Sequence, residues 1–247
     1  SFYQEITGDQ IKITGTPQFM FHYQNDTIWS RQQFAEYYQL DMNKRWICFS
    51  GDDKTTSPYD QDFLYDIART IAKDKELYQN IEILLRPVPV EGFEKYEKVI
   101  DQFPELIKKT GAAWNWGSKW SDRLPDKLDN SILASLCHHA EAVINVGSTM
   151  ALDFGMHEKT AIYINYDTKP DPNWSIHKIY EFQHFRTMKG LEPVVWLNSP
   201  SKLIDILKNL NKYKDKTKID MKKWCEVIMP EGLRTKSSHL INEELIQ

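Results

Sequence analysis

The chain has 247 residues, 41% of them hydrophobic, enough for the packed core of one large α/β domain or of one domain plus an appendage. Lysine and arginine number 31 against 35 aspartate and glutamate, a formal charge of −4 and a pI near 6.0, so no cationic excess exists to neutralise a nucleic-acid backbone. No apolar run approaches the roughly 20 residues of a membrane span, and SFYQEITGDQ lacks the charged-then-apolar layout of a signal peptide. The expected location is the cytoplasm, with peripheral attachment to the inner face of the membrane left open.

Residues 1–30, including GTPQFMFHYQND, show no period and read as an approach segment or interdomain linker. Residues 31–212 then alternate short β-branched or aromatic runs with amphipathic stretches. Strands are expected at Trp46–Ser50, Ile81–Arg86, Ala142–Val146, Thr160–Asn165 and Pro193–Leu197, with a further one near Gly111–Trp116. AVINV and AIYIN are apolar throughout, the mark of parallel strands covered on both faces. The expected fold is therefore α/β, a doubly wound, mainly parallel, Rossmann-like sheet of about six strands. Ser57-Pro58-Tyr59-Asp60 reads as a helix start, with Ser57 as cap and Pro58 at the first position, and Ser199-Pro200 repeats the device. Asp60–Lys73 carries Phe63, Leu64, Ile67, Ala68 and Ile71 on one face. Residues 213–247 read as a C-terminal linker and helix: the lysine-rich NKYKDKTKIDMKK predicts a solvated linker or exposed helix face, and Ser237–Gln247 a short terminal helix.

The sharpest chemical feature is NVGSTMALDFG. A buried strand ends at Val146, Gly147 makes the turn, Ser148 can cap, and a helix begins at Thr149. Such a turn offers free backbone N–H groups, and with the helix dipole these form an anion site where open α/β sheets bind ligands. Ser148 and Thr149 add hydroxyl donors for a diphosphate, and Asp153, about one turn on, can accept from ribose hydroxyls. The same residues equally describe a structural cap, a tight turn and a solvent-facing acid.

In LLRPVPV a strand runs into Arg86 and two prolines, so Arg86 projects at the same carboxyl edge toward a phosphate or a neighbouring acid. In FSGDD, Gly51 permits close backbone approach, while adjacent Asp52 and Asp53 would repel a phosphate unless they point elsewhere. No GxGxxG fingerprint or P-loop is present. Trp114, Trp116 and Trp120 read as core aromatics or as stacking platforms for bases and sugars. Asp129 reads as the N-terminal acid or cap of a helix over Ile132–His139. His138 and His139 are adjacent and point apart, His177 and His184 lack a completing ligand, and no metal or cofactor is expected. Cys48, Cys137 and Cys225 form no CxxC pair and are expected to be buried thiols. No nucleophile elbow is found, and no catalytic residue is assigned.

The succession GTPQF, ICFSG after a Leu-Asp-x-Asn-Lys lead-in, LLRPVP and DNSILASLCHHAEAVINVGSTMALDFGMHEKTAIYINYD resembles the C-terminal domain of GT-B glycosyltransferases, nearest to bacterial surface-polysaccharide enzymes and related glycerophosphotransferases. The resemblance covers Gly15 to Leu210, and its most specific part is GST-xxx-D followed by a strand ending in Asp167. It implies a nucleotide-sugar donor with its diphosphate at Gly147, Ser148 and Thr149 and its ribose at Asp153. It also implies a glycan or lipid-linked acceptor, and a second, N-terminal Rossmann domain, supplied in cis or in trans, that holds this acceptor and the catalytic base. Two departures are visible: relatives often read Arg-Pro-His-Pro where this chain has Arg86-Pro87-Val88-Pro89, and the helical acid is more often Glu than Asp. The implied function is donor binding in a metal-independent glycosyltransferase of cell-surface polysaccharide synthesis. CDP-polyol phosphotransfer, a nucleotide-sugar 2-epimerase and a non-catalytic protein-binding Rossmann module are the alternatives.

Overall fold

The computed structural model describes residues 8, 11–24, 26–115 and 124–246. In chain order the elements are α1 (Arg31–Tyr38), β1 (Arg45–Ser50), α2 (Asp60–Ala72), α3 (Lys75–Asn80), β2 (Ile81–Arg86), α4 (Glu97–Gln102), β3 (Ile107–Lys109), β4 (Trp114–Asn115), β5 (Leu124–Pro125), α5 (Lys127–His139), β6 (Ala142–Asn145), α6 (Met150–Met156), β7 (Thr160–Ile164), α7 (Ile176–Tyr180), β8 (Val195–Leu197), α8 (Leu203–Lys208), α9 (Leu210–Ile228) and α10 (Ser237–Ile246).

Six strands form one parallel sheet in the order β3-β2-β1-β6-β7-β8. β2, β6 and β7 are buried at every position, because helices cover both faces. One layer joins α2 to α3, α4 and α8, and the other joins α5 to α1 and α6, and α6 to α9. The sheet is thus doubly wound, and Trp46, Phe49, Phe63, Phe154 and Tyr163 are fully enclosed. Burial of such an apolar side chain contributes about 1.5–3 kcal/mol.

The sixth strand differs from expectation. It is Ile107–Lys109, whereas Trp114–Asn115, within the run where a strand was expected, pairs antiparallel with β5 outside the main sheet. IKK carries no alternation, and its place is set by pairing Ile107 with Ile83 on β2. At α2, Ser57 does not cap; its hydroxyl donates to the Asp60 side chain at 2.5 Å, and Tyr59 holds the cap position without a side-chain bond. Ser199 opens a 3-10 turn, Pro200–Lys202, also without a side-chain cap bond.

The lysine-rich stretch is not a free linker. It lies in the 19-residue α9, which buries Thr217, Met221, Trp224 and Cys225 against α6 and neighbouring elements. The spacing of these four, at 217, 221, 224 and 225, is a helical stripe hidden among lysines. The approach segment contains a 3-10 helix, Pro17–Tyr23, with Phe19 and His22 buried against α5 and α6. All three cysteines are free and buried, and burial pushes Cys48 and Cys225 up to about 12 and holds Cys137 well above the ordinary thiol range.

Candidate functional site

Strand order reverses between β1 and β6, and a crevice at the carboxyl ends of strands flanking such a switch point is where open α/β sheets take ligands. A cleft of about 400 Å³ opens there. Gly51, Arg86, Gly147, Ser148, Thr149 and Asp153 all line it. Their convergence follows from register: Ser50 stands beside Arg86 across β1 and β2, and Phe49 beside Ile144 across β1 and β6, so the segments leaving these strands meet.

The turn after β6 is fastened from beneath. Gly147 has φ +59, and a Cβ there would lie 3.0 Å from both Ile179 and Phe185, so glycine meets two separate demands. The Ser148 N–H donates to the buried Asn145 side chain at 3.1 Å, and the Tyr180 ring packs under Gly147 while its hydroxyl donates to the Ile164 carbonyl at 2.5 Å. The turn therefore does not leave the Ser148 amide free. What reaches the cleft is the exposed Thr149, which sits at the helix cap without a side-chain capping bond.

Asp153 does not face solvent. It is 7% exposed, and its Oδ1 lies 2.8 Å from His22 Nε2, whose Nδ1 lies 2.9 Å from His157 Nε2. Burial, reinforced by the nearby His22, pushes His157 down to about 3, so that imidazole is neutral near pH 7. An Asp153–His22–His157 chain thus ties the approach segment to the cleft.

Arg86 is 4% exposed, and its Nη2 reaches both oxygens of Asp129 at 2.9 and 3.0 Å. Asp129 also accepts from the Ala113 N–H at 3.1 Å and from Trp114 Nε1 at 2.8 Å. The α5 cap is instead Asp126, which accepts from the Leu128 N–H at 2.8 Å. Asp129 is therefore the counter-ion of Arg86, and among the described residues Arg86 Nη1 is buried without a hydrogen-bond partner. Trp114 is half-buried on the cleft wall, while Trp116 and Trp120 lie outside the described residues.

The two acids of FSGDD part ways. Asp53 turns back to accept from the Thr55 and Thr56 N–H groups at 2.7 and 3.0 Å, whereas Asp52 lines the cleft. Burial, with the charge of nearby Asp60 adding to it, pushes the Asp52 carboxyl up to about 7, so much of its repulsion toward an anion is removed near neutrality. Beneath it, the fully buried Asp60 accepts from the Asp52 N–H at 2.6 Å, Tyr96 at 3.1 Å and Lys95 at 3.4 Å. Any Cβ on Gly51 would fall 1.9 Å from the Tyr96 hydroxyl, which explains that glycine. Sequence reasoning did not single out His22, nor Asp129 as a charge partner. Both depend on contacts between residues far apart in the chain, 131 apart for His22–Asp153 and 43 for Arg86–Asp129.

Among solved structures, 116 chains match. A structure of the wall teichoic acid polymerase TagF, soaked with CDPG, has a TM-score of 0.59 at 15% identity, covering 97% of this chain and 50% of that one. This chain has the fold of a Rossmann-like GT-B half. A glycosyltransferase from Rickettsia africae gives a TM-score of 0.54 at 12% identity over 98% of this chain and 59% of that one. The UDP-GlcNAc 2-epimerase of Neisseria meningitidis bound to UDP-GlcNAc gives 0.53 at 12% over 98% and 56%. The chain thus spans only about half the length of the solved structures it matches. Neither the protein-family models nor the curated proteins gave a match.

Proposed function

We propose that this chain is the donor-binding, C-terminal half of a metal-independent GT-B glycosyltransferase of cell-surface polysaccharide synthesis. The observation that carries this reading is the convergence of Gly51, Arg86, Gly147, Ser148, Thr149 and Asp153 on one cleft at the switch point of a GT-B-like sheet. In this reading the donor diphosphate lies over Thr149 and Ser148, and Arg86 supplies the positive charge. Ser148 contributes its hydroxyl, since its amide is engaged by Asn145. The ribose hydroxyls donate to Asp153 Oδ2, because Oδ1 is held by His22. Trp114 and Phe182, both on the cleft wall, offer faces for the base or sugar. A glycan or lipid-linked acceptor is held across the cleft by a second Rossmann domain, which brings the catalytic base and completes the geometry of transfer.

Polyol-phosphate transfer is the second reading, favoured by the match to TagF soaked with CDPG. The test is a thermal-shift panel of UDP, CDP, CMP and GDP species and their sugar or glycerol conjugates. A ligand at 100 times its Kd raises stability by about 2.7 kcal/mol. At least one nucleotide should shift the transition, and Thr149→Asp, which puts a negative charge where the diphosphate lies, should abolish that shift with the fold intact. Undiminished binding in this variant would place the nucleotide elsewhere, and silence across the whole panel would favour a non-catalytic module.

A further inference from the structure

Because the sheet is parallel, the amino ends of β1 and β7 share the edge opposite the cleft, a strand's length or roughly 17 Å away. At that edge a polar hollow of about 570 Å³ is lined by Arg45, Lys159, Thr160, Lys212 and Lys214, among others. A second hollow, of about 360 Å³, lies on the other side of Lys159 and Lys214, with Lys218, Lys222 and Arg234 on its wall. Lys159 and Lys214 therefore form a shared wall between two hollows.

The cations around them divide into two groups. Arg45 is paired with Glu141 at 2.7 Å, Lys208 with Asp74 at 2.7 Å and Arg234 with Glu226 at 3.3 Å. Lys159 and Lys214 form no ion pair among the described residues, and both are half-buried. Beside them Thr160, 2% exposed, has a buried hydroxyl with no hydrogen-bond partner among the described residues. A half-buried ammonium facing a like charge and a buried hydroxyl without an acceptor are each costly alone, and one oxyanion satisfies both.

We propose that Lys159, Lys214 and Thr160 form an anion site for a phosphate-bearing ligand at the amino edge of the sheet, separate from the cleft. Burial and the Lys214 charge disfavour the charged form of Lys159, and a bound phosphate reverses that balance. Glu141 is occupied by Arg45, and Glu158, on the wall of the second hollow, is exposed and screened. The ligand is either a free phosphorylated compound or the phosphate headgroup of a lipid. Ile219, 63% exposed beside the lysines, gives an acyl chain a place to rest in the second case.

The experiment titrates pyrophosphate into the Thr149→Asp protein by calorimetry at low salt, so that the cleft does not contribute. In parallel it sediments the protein with vesicles of phosphatidylcholine alone or mixed with phosphatidylglycerol. Lys159→Met should weaken binding about tenfold or more, and Lys159→Arg should keep it. Lys214→Gln, a half-buried position on α9 outside the sheet, should weaken binding in the same direction and decides the matter if Lys159→Met does not fold. Nucleotide binding in the cleft of the parent protein should be unchanged by all three, which separates this site from the donor reading. Pyrophosphate binding identifies a free phosphorylated ligand, and binding confined to phosphatidylglycerol vesicles identifies a lipid headgroup. If the protein binds neither, or if the folded lysine variants bind as well as the parent, the site does not exist.

Discussion

The two walls of the cleft are built on different terms. On the β2 side, charge is buried and paired: Arg86 is clamped by Asp129, which is itself held by a backbone amide and an indole. On the β6 side no charge is buried in the turn itself; Ser148 is pinned by a neutral bond from below, Gly147 is packed against Ile179, Phe185 and Tyr180, and Thr149 is left exposed. The first wall presents a preformed ion pair, its desolvation offset internally, with the Arg86 Nη1 donor still without a partner among the described residues. The second presents a rigid backbone step that sets where the following helix, and Asp153 on it, can stand. Disturbing the first should therefore act mainly on folding, and disturbing the second should divide between folding and ligand.

The largest effect is expected from Arg86→Met, which strands Asp129 as a buried, unpaired carboxylate and should destabilise the protein by about 3–5 kcal/mol in urea unfolding. Adding Asp129→Leu should recover much of that loss; if the double variant is no more stable than Arg86→Met, the two groups are not the pair that holds this wall. Gly147→Ala should cost about 1–3 kcal/mol, because the left-handed backbone and the contacts with Ile179 and Phe185 both resist a Cβ. A variant within a few tenths of a kcal/mol of the parent would show that the turn relaxes freely.

Asp153→Ala should lower nucleotide affinity by about 1–3 kcal/mol and erase discrimination between ribo- and 2′,3′-dideoxy nucleotides. Intact discrimination would assign the ribose to another group. The effect with the smallest slope, about 1 kcal/mol per pH unit, is expected in pH dependence. Asp52 titrates near 7 when folded against a reference of 3.8, so its contribution is fully present below about 4 and lost as pH rises through 7. His157 titrates near 3 against a reference of 6.5, so its contribution is present above about 6.5 and lost as pH falls toward 3. Between pH 4 and 6.5 the two slopes oppose each other. Asp52→Asn should unmask the His157 slope, making stability rise with pH by about 1 kcal/mol per unit across that window. Parallel stability curves for parent and variant would refute the placement of Asp52.

Much of this arrangement is legible in the sequence because it is local. Five of the six parallel strands are short apolar runs bounded by turn residues, and strands that end together bring Gly51, Arg86 and Gly147 to one edge without knowledge of any long-range contact. The misses are long-range. IKK becomes a strand only because β2 offers it an edge, and Asp129 looks like a helix cap until Arg86 is placed against it. The α9 stripe is diluted by six lysines, so its apolar period falls below the signal of its charge. His22 has no motif at all; its role depends on where the approach segment lands on α6.

The three buried thiols carry a practical consequence. Cys48 lies on the central strand β1, Cys137 on α5 in one helical layer, and Cys225 on α9 packed over α6. With ionisation suppressed by burial, each reacts with an alkylating reagent only when its own surroundings open. The chain therefore carries three native chemical clocks. If α9 peels away alone, Cys225 is labelled first while the other two stay silent; if the layers open as one body, all three are labelled at a single rate.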